Sequence, residues 1–100
     1  MQDKPYQQAS TSPQPVMGGD RYQNITASTL IKTGEGYVTG VFVASSTAGT
    51  LKYWDQTSAA IPVLINTFTP NLGWNPTPFH FSTGLYITVG ATIDCTVLYG

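Results

Sequence analysis

The closing stretch PFHFSTGLYITVGATIDCTVLYG, residues 78–100, holds the chain's one histidine, His80, and its one cysteine, Cys95. A thiol beside an imidazole can form a nucleophile with its base, or half of a metal site. Spacing argues against both. In TIDCTVLY the β period of two sets Ile93, Cys95, Val97 and Tyr99 on one side, with Asp94 and Thr96 on the other. Cys95 therefore belongs to an apolar face, where burial raises a thiol's pKa and leaves it a small hydrophobe. His80 alternates with Phe79 and Phe81 and is expected to face solvent or an interface. A metal would need three or four ligands. With no second His or Cys, Asp94 would have to help, and it points away from Cys95. No metal, cofactor or catalytic residue is expected.

The acids are Asp3, Asp20, Glu35, Asp55 and Asp94. Glycoside hydrolysis needs two carboxylates flanking a cleft. Asp55 and Asp94 could be neighbours, but turn and strand-end solvation explains each of them more simply. Asn24-Ile25-Thr26 matches the N-glycosylation sequon, yet nothing resembling a secretory signal precedes it. Gly34, Gly36 and Gly40 imitate a phosphate loop only in spacing, because they join two strands and open no helix. The aromatic residues Tyr53, Trp54, Trp74 and Tyr86 are better material, since flat rings can stack on sugars. Trp74, in NLGWNPTP, is the strongest candidate for an exposed contact; a plug over an open end of the fold, or an intersubunit contact, fits it better than a sugar site.

Positioning these residues requires a fold, and composition limits which one. The chain has 100 residues, 41% hydrophobic and 9% charged, with a net charge of −1. It fits one domain with a real core, and its charge content is far below the ~25% of an average soluble chain. No basic run is present, which argues against nucleic acid and against an anionic membrane surface. A lone cysteine excludes a scaffold stapled by internal disulfides. No stretch reaches the ~18 apolar residues of a membrane span. The N-terminus has no apolar segment of the signal-peptide kind, so the chain is expected to fold and act in a reducing cytosol, or to assemble there before leaving by lysis.

Residues 1–20, rich in Gln, Ser and Pro, show neither a strand nor a helix period and are expected to form an extended arm. From Arg21 the chain reads as all-β, dominated by Thr, Val, Ile, Tyr and Phe. The expected strands lie in YQNITASTLIKT, YVTGVFVAS, LKYWD, IPVLINTFT, PFHFS, GLYITVG and TIDCTVLY, with turns at GEG, STAGT, QTSAA and Gly90-Ala91, and a longer loop at PNLGWNPT. That makes about seven or eight strands, the pattern of a small antiparallel β-sandwich or jelly-roll-like domain over residues 21–100. Leu85, Ile87 and Val89 share a face, as do Leu51 and Tyr53 opposite Lys52 and Trp54. In YVTGVFVAS the alternation puts Val41 and Val43 on one side and Val38 and Phe42 on the other, so this strand is expected to be covered on both faces.

Two segments, LIKTGEGYVTGVFVASSTAGTLKYWD and FHFSTGLYITVGATIDCTVLYG, resemble small all-β virion proteins of tailed bacteriophages, especially capsid decoration (cement, or head-auxiliary) proteins. The resemblance spans about Ile25 to Gly100. It implies a compact sandwich or jelly roll, a homotrimer on the outer capsid surface of the virion, and the major capsid protein as partner. It implies no enzyme activity, no cofactor and no small-molecule substrate. On this expectation Val38, Phe42, Tyr53, Trp54 and Trp74 pack in the oligomer or against the shell, and the arm around Tyr6, Val16 and Met17 touches the capsid. The alternative is a virion adhesin or fibre-tip module that binds host-surface glycans through Trp74 and Tyr86.

Overall fold

The computed structural model describes residues 21–100; the expected arm, with Tyr6, Val16 and Met17, lies outside the described residues. Six strands follow in chain order among the described residues: β1 (Arg21–Ile25), β2 (Thr29–Thr33), β3 (Gly36–Trp54), β4 (Val63–Phe68), β5 (Gly73–Phe81) and β6 (Gly84–Tyr99). All belong to one antiparallel sheet, and no helix occurs among the described residues. The all-β class is as expected. The strand count is lower, because β3 and β6 each fuse segments expected to be separate.

These two long strands pair from Val38 opposite Tyr99 to Trp54 opposite Tyr86. Each shorter strand flanks one half of that ladder. In the first half β1 pairs with β6 (Arg21 opposite Tyr99 to Ile25 opposite Cys95), and β5 pairs with β3 (Gly36 opposite Phe81 to Val43 opposite Gly73). In the second half β2 pairs with β6 (Thr29 opposite Ile87 to Thr33 opposite Gly84), and β4 pairs with β3 (Leu51 opposite Phe68 to Trp54 opposite Val63).

STAGT and Gly90-Ala91 read as turns because small residues and glycine break a strand pattern. They are instead opposed irregularities in one ladder: Thr47 faces Thr92, the next rung is Thr50 with Gly90, and Ala48 (φ 56°) and Ala91 (φ 58°) are left-handed. β3 also carries an extra residue against β6 at Thr39 and at Ala44, two further bulges. A bulge reverses the in–out alternation of everything beyond it. The one at Thr39 corrects the expectation for Val38, which lies on the same face as Val41 and Val43 and is fully buried with them, while Phe42 alone faces outward. Straight counting could not see that shift.

One apolar cluster unites both halves: Ile25, Val41, Ile93, Cys95 and Val97 come from the first, and Ile31, Leu51, Tyr53, Leu85 and Ile87 from the second. Tyr53 is fully buried there, its ring edge-on to Phe68 at 5.9 Å between centroids, and its hydroxyl oxygen accepts from Thr77 Oγ1 at 3.4 Å. The expectation of Tyr53 at an oligomer or shell contact is therefore corrected: the chain's own core already takes all of its surface.

PNLGWNPT, expected as a loop, becomes strand from Gly73 onward. Among the described residues β5 pairs with β3 alone, so Pro76 and Pro78 sit on an edge strand there, where a missing N–H leaves no central ladder broken.

Candidate binding face

The register of the first half aligns two outward rows, each crossing all four strands. One runs Tyr22–Leu98–Gly40–Pro76, and the next Asn24–Thr96–Phe42–Trp74. Tyr22, Phe42 and Trp74 are 77%, 50% and 46% exposed. The Trp74 indole leans across the rows onto Gly40: a Cβ at Gly40 would lie 2.5 Å from Cη2 and 2.7 Å from Cζ2. Glycine is therefore required at position 40 for the ring to seat. In the adjacent polar positions Asn24 Nδ2 donates to Asp94 Oδ1 at 2.9 Å and to the Cys95 carbonyl at 3.0 Å. This ties β1 to β6 through side chains as well as backbone.

The second half has its own outward row, Leu30–Tyr86–Trp54–Val63, again spanning four strands. Leu30 and Val63 at its ends are each 39% exposed, while Trp54 and Tyr86 are half-buried. Lys52 Nζ stands 4.3 Å from the Trp54 ring centroid, a cation–π contact, and Trp54 Nε1 donates to Thr88 Oγ1 at 3.3 Å. The indole is thus held at its Nε1 by Thr88 and over its ring by Lys52.

The candidates for reactive chemistry do not converge. Cys95 is fully buried; burial pushes its thiol up to about 11, with the neighbouring Asp94 charge adding to the shift. The His80 side chain is exposed on β5, where Nε2 lies 3.2 Å from Glu35 Oε2. Asp55 closes the β5–β6 turn, its carboxylate accepting backbone N–H bonds from Ser82 at 3.0 Å and Thr83 at 2.8 Å, with a longer one from Gly84 at 3.4 Å. Desolvation alone would raise its pKa, but these N–H donors, helped by the His80 charge, hold it below the usual carboxylate value. Asp94 serves Asn24 in the first half, so the two aspartates have separate structural partners. Among the described residues no three His, Cys, Asp or Glu side chains group as a metal site.

Of the expected contact residues, the structure leaves Phe42, Trp54 and Trp74 on outward faces and withdraws Val38 and Tyr53 into the core. Phe42 and Trp74 meet as cross-strand partners. Trp74 and Tyr86, expected to act together on a glycan, belong to different halves and make no joint site. Tyr22, Asn24 and Leu98 were not anticipated. Alternation in RYQNI could have turned Tyr22 outward, but only the long-range β1–β6 pairing brings it beside Leu98. Comparison with family models, with curated proteins and with solved structures finds no match for the chain.

Proposed function

We propose that this chain is a capsid decoration protein of a tailed bacteriophage. It binds the outer capsid surface as a homotrimer and stabilises the head by bridging subunits of the major capsid protein. In this reading the sheet closes on itself as a small jelly-roll-like sandwich, and residues 1–20 reach neighbouring subunits. The observation that carries it is the outward apolar row Leu30–Tyr86–Trp54–Val63, which crosses every strand of its half and leaves half-exposed rings where a solvated sheet would place polar side chains. The phage resemblance of the two long segments supports the same conclusion.

The mechanism is distributed burial. Each copy removes apolar surface from water at about 25 cal/mol per Å², less the cost of ordering the interface. A repeated lattice of sites then multiplies modest contacts through effective concentration.

Co-sedimentation with purified capsids tests this. The wild-type chain should pellet with capsids, and the Leu30→Asp/Val63→Asp variant, charged at both edges of the row, should stay in solution with an unchanged β circular dichroism spectrum. A wild-type chain that never pellets with capsids defeats the proposal. A glycan-binding adhesin is the second reading, favoured by the exposure of Trp74 beside Phe42.

A further inference from the structure

We propose that the outward face of the first half, built on Tyr22, Phe42 and Trp74, is a platform for a neutral oligosaccharide. This deepens the adhesin reading, which rests on Trp74 beside Phe42, by adding Tyr22 and the polar side chains next to it, and it does not depend on capsid binding. The indole of Trp74 covers Gly40, and Tyr22 lies in Gly40's row two strand spacings away, about 9.6 Å. Leu98, half-buried, floors the gap between them. Exposed aromatic surfaces set apart in this way can take the C–H faces of two rings of one sugar chain, while hydroxyls at the ring edge need hydrogen-bonding partners.

Those partners stand in the adjoining row. Asn24 commits its Nδ2 to Asp94, Cys95 and Thr96, and its Oδ1 takes no part in these bonds. Asp94 lies just beyond Thr96 on β6, and one of its oxygens, Oδ1, receives the Asn24 bond. Aromatic side chains interleaved with an amide, a hydroxyl and a carboxylate suit a polyhydroxylated ligand better than a purely apolar one.

Charge and area narrow the occupant. None of the eight register positions in the two rows carries a charged side chain; Asp94 sets a carboxylate beside them and Arg21 precedes Tyr22 on the strand, so the rows themselves offer a polyanion no cation. Exposures of 77%, 50% and 46% for Tyr22, Phe42 and Trp74, at about 200 Å² per aromatic side chain, leave about 350 Å² of ring surface. A stable protein interface takes ~800 Å² from each partner. The three rings supply less than half of that area by themselves, which is sufficient for a short glycan.

The test is titration of the full chain with neutral hexaoses (cello-, xylo-, malto- and N-acetylglucosamine series), following the Trp74 indole N–H by nitrogen-15 NMR. At least one series should shift that signal. Tyr22→Ala and Phe42→Ala should each weaken binding about three- to tenfold, with no dependence on salt. Tyr22→Ala lies on an edge strand at a highly exposed position, so it reports even if changes at Trp74 disturb the fold. The same variant should still co-sediment with capsids, which separates this proposal from the capsid one. Three results overturn it: no response to any series at about 10 mM, binding that survives Tyr22→Ala/Phe42→Ala, or self-association abolished by Tyr22→Asp, which would make a second copy the occupant.

Discussion

The Trp74 indole occupies the space in which any other residue at position 40 would place its Cβ, 2.5 Å from Cη2. The same Cβ would lie 2.6 Å from the Asn75 carbonyl oxygen, which is backbone and cannot swing aside. Gly40→Ala is therefore expected to displace the indole, loosen the β3–β5 pairing, and cost about 1–3 kcal/mol. Denaturant unfolding measures the loss, and a red shift of tryptophan emission should accompany it. Unchanged stability and emission would mean that the ring does not rest on this glycine.

Asp55 holds the β5–β6 turn by accepting bonds from consecutive backbone N–H groups. Its folded pKa is lowered from 3.8, so its contribution is fully present above the unfolded value and fades as pH falls through the folded one. Asp55→Asn should cost about 1–2 kcal/mol at neutral pH. The gap from wild type should be constant above about pH 5 and close as pH drops below about 4. A gap that persists at pH 2 to the same extent would show that shape, not charge, holds the turn.

Much of the second half was legible from alternation. Leu51 and Tyr53 inward, Lys52 and Trp54 outward, and Leu85 with Ile87 inward all follow from a period of two, because the β3–β6 ladder carries no extra residue over this stretch. The first half was less so, for a local reason. Thr39 and Ala44 are extra residues that only the partner strand reveals, because a bulge is a mismatch between two chains and not a property of either. Val38 was misplaced for that cause, and Tyr53 was placed on the correct face but assigned to a partner instead of the core. The aromatic platform was half visible: Phe42 and Trp74 could be singled out, while Tyr22 needed the β1–β6 register.

Thr77 is a buried polar residue on β5, and its Oγ1 donates to the Tyr53 hydroxyl from across the core at 3.4 Å. Burial pushes the Tyr53 phenol up to about 12, so it is neutral at physiological pH. Tyr53→Phe and Thr77→Val should each cost about 1 kcal/mol by leaving the other group unsatisfied. The double variant should cost less than the sum of the two, and thermal unfolding of all four proteins gives the coupling. Strict additivity would mean that the hydroxyls do not interact.

Cys95 gives the sharpest test of whether the chain works by contact alone. Its side chain is fully buried between β1 and β3, in register with Ile25 and Val43. With its pKa pushed up to about 11, about one thiol in a thousand is ionised at pH 8, and that fraction is also shielded from reagent. Labelling by a disulfide reagent should therefore proceed no faster than exposure of the core permits, and should become rapid in denaturant. Stabilising substitutions anywhere in the core should slow it in proportion. Rapid stoichiometric labelling of the native protein would show that β6 opens readily, and a strand that pairs with both β1 and β3 could not then hold either outward face rigid enough to bind.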